Sequence, residues 1–191
     1  MVRTARTTRY RLPHTIDNGA GERLVFSRRV RGVRGDRLEG ETTVQPGAGP
    51  PMHVHHLQDE GFTVLEGRLG YQRQGGAPRF AGPGESVEFK AGEPHRFWNA
   101  GHAELRVAGY IEPANNAEYF LTELFDSMRR TGGGRPDLFD VAYLSQRYGR
   151  EYSVLEIPRL VQRLVFPMLL FLGVALGLFD KYGDAPAPIE G

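Results

Sequence analysis

Between residues 24 and 111, glycine and proline divide the chain into short β-rich runs, and this punctuation restricts the possible folds more than any other feature. Residues 38–44, 62–66 and 86–89 each form such a run, bounded by turn-forming residues. The alternation of apolar and polar side chains expected of a half-buried strand is present in part. Short strands separated by frequent turns are typical of a β-sandwich or barrel, so a mainly β fold is predicted.

Composition limits the kinds of site that the chain can hold. Its 191 residues are enough for one domain with a hydrophobic core, or for one domain with an appendage. There is no cysteine, so disulfides and thiolate-bound metals are excluded, and any metal must use nitrogen or oxygen ligands. The net charge of +1 provides no general attraction to nucleic acid.

Basic residues are concentrated near the start of the chain, where ten arginines fall within residues 1–37. Two interpretations remain open: solvated strand faces, or a patch that faces anions or lipids. No aromatic stacking platform accompanies these arginines, so no nucleic-acid partner is expected. Residues 1–11 also lack the apolar run of a secretory signal, which favours a cytoplasmic protein.

The pattern changes from strand-like to helix-like after Pro113, where apolar residues begin to recur at helical spacing. We therefore predict a β-domain at residues 1–113, whose motif-bearing core spans 47–99, followed by a helical extension at 114–191. The first residues, 1–10, are expected to form a flexible or edge-strand arm. No second copy of the core pattern occurs, so a single β-domain is expected.

Three helices are predicted in the extension. Asn115 is expected to cap the first, with Glu118 three residues later completing a capping box. The second is expected to run from Pro136 to about Tyr148, with a glycine just beyond its end. The third, an apolar helix, is expected at about 158–180.

The apolar third helix contains 16 consecutive residues, 164–179, without a charged side chain. This core is roughly 24 Å long, which is shorter than the roughly 30 Å of a bilayer core. A helix that is apolar all round has to be covered. Three covers remain open: the β-domain, a partner subunit, or a membrane contacted through residues 158–182. Residues 184–191 are expected to form a flexible tail.

Histidines and a carboxylate cluster at the centre of the β-domain. Because side chains alternate along a strand, His53 and His55 project from one face and His56 from the other. Glu60 follows after a short turn and can fold back towards the same point. His95, directly after a turn that contains glycine and proline, is a fourth candidate. Three imidazoles and a carboxylate are suitable ligands for a divalent transition metal.

The spacing of these residues resembles the paired motifs of the cupin superfamily. The first motif reads Gly47, five residues, His53, one residue, His55, four residues, Glu60, six residues and Gly67, and it matches at every marked position. The second reads Gly84, five residues, Lys90-Ala91-Gly92, two residues, His95, three residues and Asn99. It departs at Lys90, where the family usually has proline, a position that shapes a turn and binds nothing. The resemblance covers roughly residues 20–113 and leaves out the helical extension.

The resemblance implies a double-stranded β-helix, also called a jelly roll or cupin barrel, here followed by the C-terminal α-helical extension. It implies His53, His55, Glu60 and His95 as ligands of one divalent transition metal ion, with Fe, Mn, Ni, Co, Zn and Cu all open. In metal oxygenases of this shape, a carboxylate such as Glu60 can also act as a base. Cupin barrels often pair by exchanging edge strands, so a homodimer is expected.

Two functions from different classes remain open. The first is a metal-dependent enzyme whose ion offers a coordination position to a substrate oxygen or to dioxygen. Cupins of this type include dioxygenases that act on enolic or phenolic molecules, with isomerases and decarboxylases as less favoured alternatives. The second is a non-catalytic module that binds or senses a small ligand and signals through its extension, in association with a membrane or a partner. The aromatic residues Phe62, Tyr71, Phe89, Phe97 and Trp98 are assigned mainly to the core, with some of them lining the pocket.

Overall fold

The computed structural model describes residues 10–189, so the predicted N-terminal arm lies almost entirely outside the described residues. The strands are β1 (His14–Asp17), β2 (Glu22–Arg31), β3 (Asp36–Val44), β4 (His53–His55), β5 (Asp59–Glu66), β6 (Leu69–Arg73), β7 (Arg79–Ala81), β8 (Ser86–Phe89), β9 (His95–Asn99), β10 (Leu105–Glu112) and β11 (Tyr152–Val154). The helices are α1 (Ala117–Arg130), α2 (Leu138–Tyr148) and α3 (Phe166–Ala175), with a π-helical turn (Val161–Val165) before α3 and a 3₁₀ turn (Asp180–Tyr182) after it.

The strands form two antiparallel sheets. One has six strands in the order β1-β2-β3-β10-β5-β8, and the other has five in the order β11-β4-β9-β6-β7. The main hydrophobic cluster lies between them, because it includes Val64 and Val107 from the first sheet and Leu69 and Phe97 from the second. This mainly β jelly roll, followed by helices, confirms the predicted fold class.

Close packing of strands in the first sheet requires a glycine on β3. A Cβ atom placed on Gly40 would lie 2.2 Å from the carbonyl oxygen of Val25 on β2. The register of these two strands also shifts between Phe26 and Arg28, which indicates a β-bulge opposite this position. The glycine therefore permits the contact between β2 and β3, on whose inner faces part of the functional cavity is built.

The strands β1, β7 and β11 lie outside the predicted runs. Each has only three or four residues. β11 occurs in the region predicted to be helical, and it pairs antiparallel with β4, where Tyr152 lies opposite His55 and Val154 opposite His53. Residues 152–154 of the extension are therefore part of the second sheet.

The predicted capping box at the start of the first helix is wrong. α1 begins at Ala117 with Asn116 at the N-cap position, and no side-chain cap hydrogen bond forms there. Asn115 instead adopts a positive φ of 42°. The carboxylate of Glu118 accepts a hydrogen bond from Nη2 of Arg29 at 3.2 Å, so it serves to join α1 to β2.

α2 corresponds to the second predicted helix and ends at Tyr148, as expected. Its N-cap is Asp137, whose carboxylate accepts hydrogen bonds from the backbone N–H groups of Phe139 and Asp140. This is the arrangement by which an aspartate satisfies the free N–H groups of a first helical turn. The helix therefore starts two residues after Pro136.

A buried carboxylate joins the helical extension to the β-domain. Glu151 is 0% exposed. It accepts hydrogen bonds from Nε2 of Gln58 at 2.9 Å, and from Nδ2 and the backbone N–H of Asn116 at 2.6 and 3.2 Å. The same amide of Gln58 also donates to the hydroxyl of Tyr152 at 2.9 Å. One side chain thus connects the β4–β5 loop, the start of α1 and β11.

The apolar third segment is not one continuous helix over 158–180. It contains the π-helical turn, the ten-residue α3 and a turn at Gly177, whose φ is +67°. α3 contacts α2, and its buried residues are Phe166 and Gly173, the latter next to the ring of Phe179. The other side of α3 is open to solvent in the single chain, with Phe171 75% and Val174 72% exposed. None of the helices within residues 10–189 combines the length and apolar character needed to cross a bilayer.

The C-terminal segment, residues 184–191, was expected to be a flexible tail, but residues 185–187 accept several hydrogen bonds. Arg147 donates to the carbonyl oxygens of Ala185 and Pro186, and the Tyr148 hydroxyl donates to that of Pro186 at 3.0 Å. Asn116 donates to the carbonyl oxygen of Ala187 at 3.2 Å. Residues 185–187 therefore lie along α2 and the start of α1.

Replacement of Glu151 by alanine is expected to lower the free energy of unfolding by about 2–4 kcal/mol, because the buried amide groups of Gln58 and Asn116 would lose their hydrogen-bond acceptor. Urea denaturation followed by circular dichroism measures this change. Glu156→Ala is the matched control, since Glu156 is exposed. Equal effects of the two substitutions would show that the buried network does not hold the extension in place.

Candidate metal centre

The four predicted ligand residues come together in the structure. Candidate donor atoms of His53, His55, Glu60 and His95 all lie within 4.8 Å of one another. Two of the histidines are on β4, the glutamate is on β5, and His95 is the first residue of β9. β4 and β9 pair with His53 opposite His95, whereas β5 belongs to the other sheet. The cluster therefore bridges the two sheets.

The carboxylate of Glu60 lies in the middle of the cluster. Its Oε2 is 2.9 Å from Nε2 of His95 and 3.9 Å from Nε2 of His53. Its Oε1 is 3.9 Å from Nε2 of His55. Ligand atoms that each lie about 2.1 Å from one ion are separated from one another by roughly 3–4 Å. The four side chains could therefore hold a single metal ion.

Backbone hydrogen bonds fix the orientation of two imidazole rings. Nδ1 of His53 lies 2.8 Å from the carbonyl oxygen of Pro51, and Nδ1 of His95 lies 2.8 Å from that of Glu93. Because a carbonyl oxygen only accepts hydrogen bonds, both Nδ1 atoms carry a proton, which leaves Nε2 of each ring as the nitrogen that faces the centre and could coordinate a metal ion. Partners of this kind orient metal-binding histidines in proteins.

The turn before β9 explains how His95 reaches the centre. Gly92 adopts a positive φ of 81°, which favours glycine, and its N–H donates to the carbonyl oxygen of His55 at 2.7 Å. Lys90, which stands where cupins usually have proline, has a side chain that is 64% exposed and paired with Glu88 at 2.7 Å. The departure from the family motif is therefore at the surface.

Burial and neighbouring side chains together set the protonation states of His53, His55 and Glu60. His55 is 4% exposed, and burial lowers its pKa to about 3, although the nearby Glu60 acts in the opposite direction. Burial lowers the pKa of His53 as well. Burial alone would raise the pKa of Glu60, but His55 and the hydrogen bond from His95 outweigh it and lower that pKa to about 2. At neutral pH, His53 and His55 are neutral and Glu60 is ionised, and these are the forms that bind metals.

Tyr152 contacts the cluster but was not identified from the sequence. Its ring packs edge-on against that of His55, with centroids 5.2 Å apart and an interplanar angle of 90°. Among the described residues, Nδ1 of His55 has no hydrogen-bond partner, so this ring is positioned by packing. His56 faces away from the cluster, as predicted, and its Nε2 lies 2.9 Å from the hydroxyl of Ser153. No local signal reveals Tyr152, because the contact depends on pairing with a strand almost 100 residues later.

A cavity of about 330 Å³ adjoins the cluster and is lined mainly by apolar side chains. Helix α1 contributes Phe120, Leu121 and Leu124 to its lining, so the predicted extension forms part of the pocket. Of the aromatic residues singled out in the sequence, Phe62 and Phe97 line the cavity, and both also belong to the buried core. Among the described residues that line it, none is lysine or arginine.

Comparisons with known proteins agree with this geometry. Residues 40–110 match the family model described as a Cupin domain. The chain is 29% identical over 117 residues to quercetin 2,3-dioxygenase of Bacillus subtilis, which covers 58% of this chain and 34% of that protein. It is 36% identical over 52 residues to a probable oxidoreductase, virH, of Hypocrea virens, which covers 27% of this chain and 24% of that protein. The chain thus spans about a third and a quarter of the length of these two relatives.

A solved structure shows a partial likeness of the same kind. It is a protein with a double-stranded β-helix domain from Klebsiella pneumoniae, 23% identical to this chain. The likeness covers 48% of this chain and 78% of that one, with a TM-score of 0.41.

The segment that matches the family model begins within β3 and ends within β10. It therefore contains the four converging side chains and the strands that carry them. Fold, motif spacing and family match agree on one assignment: residues 40–110 form a cupin domain.

Proposed function

We propose that this cupin domain is a mononuclear metal-dependent enzyme of the oxygenase type, acting on a small enolic or aromatic molecule. The main support is the convergence of three imidazoles and one carboxylate beside an apolar cavity. A divalent transition metal bound there, with Fe, Mn, Ni, Co, Zn and Cu all open, would supply Lewis acidity and a free coordination position.

Each of the four clustered side chains would have a defined role at the metal centre. His53, His55 and His95 would present Nε2 to the ion, and Glu60 would supply the negatively charged fourth ligand. A carboxylate with a pKa of about 2 is a weak base. The charge state of Glu60 therefore favours the ligand role over removal of a proton from substrate.

The cavity supports a neutral or aromatic substrate. Its lining is mainly apolar, and α1 contributes Phe120 and Leu121 to it, which limits access of water to the metal centre. Quercetin 2,3-dioxygenase and a probable oxidoreductase are among the relatives, and these names favour the oxygenase class. The partial coverage of both relatives leaves the substrate of this chain a proposal.

A different set of contacts favours a second candidate function, a non-catalytic module that binds or senses a small ligand. Tyr152 touches His55 on one side and stacks on Phe120 of α1 on the other, with ring centroids 4.4 Å apart. A structural change at the metal centre would therefore be transmitted through Tyr152 to the helical extension. In that case the ion would be coordinatively saturated, without an exchangeable water.

The exposed side of α3 is the proposed contact surface of the chain. Its side chains include Phe171 and Val174, and large apolar surfaces of this kind mark contacts with proteins or membranes. A second copy of the chain, giving the expected homodimer, and a membrane surface contacted through residues 158–182 both remain proposals. The cytoplasmic location expected from the sequence is also a proposal.

The first test is metal content. The untagged protein is expected to contain close to one transition-metal ion per chain by elemental analysis. His53→Ala and His95→Ala should each lower metal affinity by about 10- to 100-fold or more, because each removes one donor atom. His56→Ala, in which a neighbouring imidazole that faces away is removed, should keep the metal. Equal metal content in all four proteins would contradict the proposed ligand set.

The second test is oxygen consumption. The metal-loaded protein is expected to consume oxygen with at least one member of a panel of flavonols, enols and phenols, and His95→Ala should abolish this activity. An oxygen electrode and product analysis record the outcome. Absence of oxygen uptake and of turnover across the panel, with the metal site full, would rule out the oxygenase and leave the binding module.

The third test uses the buried histidines. In the metal-free protein, the unfolded chain gains protons on His53 and His55 below their ordinary pKa of 6.5, whereas folded His55 resists protonation down to about pH 3. His55 should therefore lower the free energy of unfolding as the pH falls from 6.5 to 5, by up to about 1.4 kcal/mol per pH unit, whereas Glu22, whose pKa burial raises to about 7, acts in the opposite direction over this range. Relative to the wild type, His55→Gln should therefore lose less stability on acidification. An identical pH dependence of the two proteins, measured by urea denaturation, would contradict the protonation state assigned to His55.

A further inference from the structure

A second carboxyl group lines the cavity and has no part in the proposed metal centre. Glu22 is the first residue of β2 and is only 8% exposed. Its side chain lines the same cavity as His53, His55 and Glu60. In the sequence, Glu22 lies just after the turn between β1 and β2, well before the four clustered residues.

The position of the Glu22 side chain is held by a buried asparagine. Asn18 is 0% exposed, and its Nδ2 donates to Oε1 of Glu22 at 2.9 Å. Oδ1 of Asn18 accepts hydrogen bonds from the backbone N–H of Ala20 at 2.7 Å and from that of Glu22 at 3.1 Å. Because these N–H groups can only donate, the orientation of the amide is settled, and its NH₂ group faces the carboxyl group.

The surroundings of Glu22 are unusual for a structural carboxylate. Buried carboxylates are normally paired with a cation, yet none of the described residues that line this cavity is lysine or arginine. Burial raises the pKa of Glu22 to about 7, the hydrogen bond from Asn18 opposes this, and the charge of Glu60 adds to it. A carboxyl group in this state can both donate and accept a hydrogen bond at neutral pH.

We propose that Glu22 binds a hydroxyl group of the molecule that occupies the cavity, and that this ligand is an uncharged enol or phenol. The inference rests on the proposed function of the neighbouring metal centre and names the substrate class for it. A ligand that placed a carboxylate or phosphate against Glu22 would meet the charge of this carboxylate with no basic side chain from the cavity lining to compensate it. An uncharged hydroxyl meets no such repulsion and can donate its proton to the Glu22 carboxylate.

The proton accounting of this contact is simple. In the hydrogen-bonded state, the ligand keeps its O–H bond and Glu22 accepts it. If the proton is transferred, the ligand O–H bond breaks and an O–H bond forms on the carboxylate. The negative charge then moves from Glu22 to the ligand oxygen, and no electrons are gained or lost by either partner.

The test compares two probes that differ by one hydroxyl group, 3-hydroxyflavone and flavone. Both are uncharged at neutral pH, and binding is measured by titration of the full-length, zinc-loaded protein, in which the metal has no redox chemistry. The wild type is expected to bind 3-hydroxyflavone more tightly than flavone. Glu22→Gln should reduce this preference by roughly tenfold, the size expected when a hydrogen bond to a charged group is lost. Binding of flavone should not change.

Two further variants separate the proposal from a structural role. Glu41→Gln removes a carboxylate that also lines the cavity but is 52% exposed and paired with Arg106, so it should keep the preference for the hydroxyl. Glu22→Asp keeps the charge on a shorter side chain and should retain part of it. Zinc content and circular dichroism verify that each variant is folded and loaded.

Failure of the inference about Glu22 can be distinguished from failure of the proposed enzymatic function. If Glu22→Gln weakens both probes equally, or leaves their ratio unchanged, Glu22 has a structural role and the inference is wrong. If the zinc-loaded wild type binds neither probe, the ligand class is wrong, whereas metal content and oxygen uptake still decide the proposed function. Should Glu22→Gln fail to fold, a full preference for the hydroxyl in Glu22→Asp would oppose the inference and a reduced one would support it.

Discussion

The carboxylate of Glu60 is buried between two β-sheets, and the groups around it have to compensate its negative charge. Burial of an ion is costly unless nearby groups compensate it. Within the chain, part of the compensation comes from His95, whose Nε2 lies 2.9 Å from a carboxylate oxygen, while Nε2 of His53 and of His55 lie 3.9 Å away. A divalent cation in their midst would compensate the charge more completely, so the arrangement is better suited to a bound ion than to an empty site.

The surroundings of these imidazoles hold them in place without a metal. Carbonyl oxygens of Pro51 and Glu93 fix two of the rings through Nδ1. The ring of His95 also stacks on that of Phe89, with centroids 3.9 Å apart and planes at 3°. Packing of this kind leaves little freedom to be lost when a ligand binds, which is the physical basis of a preorganised site.

The helical extension takes part in the functional centre as well. β11 adds a strand to the sheet that carries all three histidines of the cluster, and α1 covers the cavity beside them. Glu151 ties both elements to the β4–β5 loop through Gln58 and Asn116. The extension and the jelly roll therefore form one structural unit around the cavity, although only the jelly-roll part matches the cupin family model.

The sequence by itself predicted a mainly β fold from its turns and short strands, and the resemblance of its two motifs to those of cupins implied the jelly roll and the four converging residues. Strand alternation places His53 and His55 on one face, and the glycine-containing turn before β9 directs His95. Only the tertiary structure places Tyr152 and Glu22 at the site and shows that α1 covers the cavity. Their roles arise from contacts between segments far apart in the chain, and Glu118 shows the same effect, since its contact with Arg29 replaced the expected capping box. Local propensity cannot reveal such contacts, because their energy exists only after the two sheets and the helices have packed together.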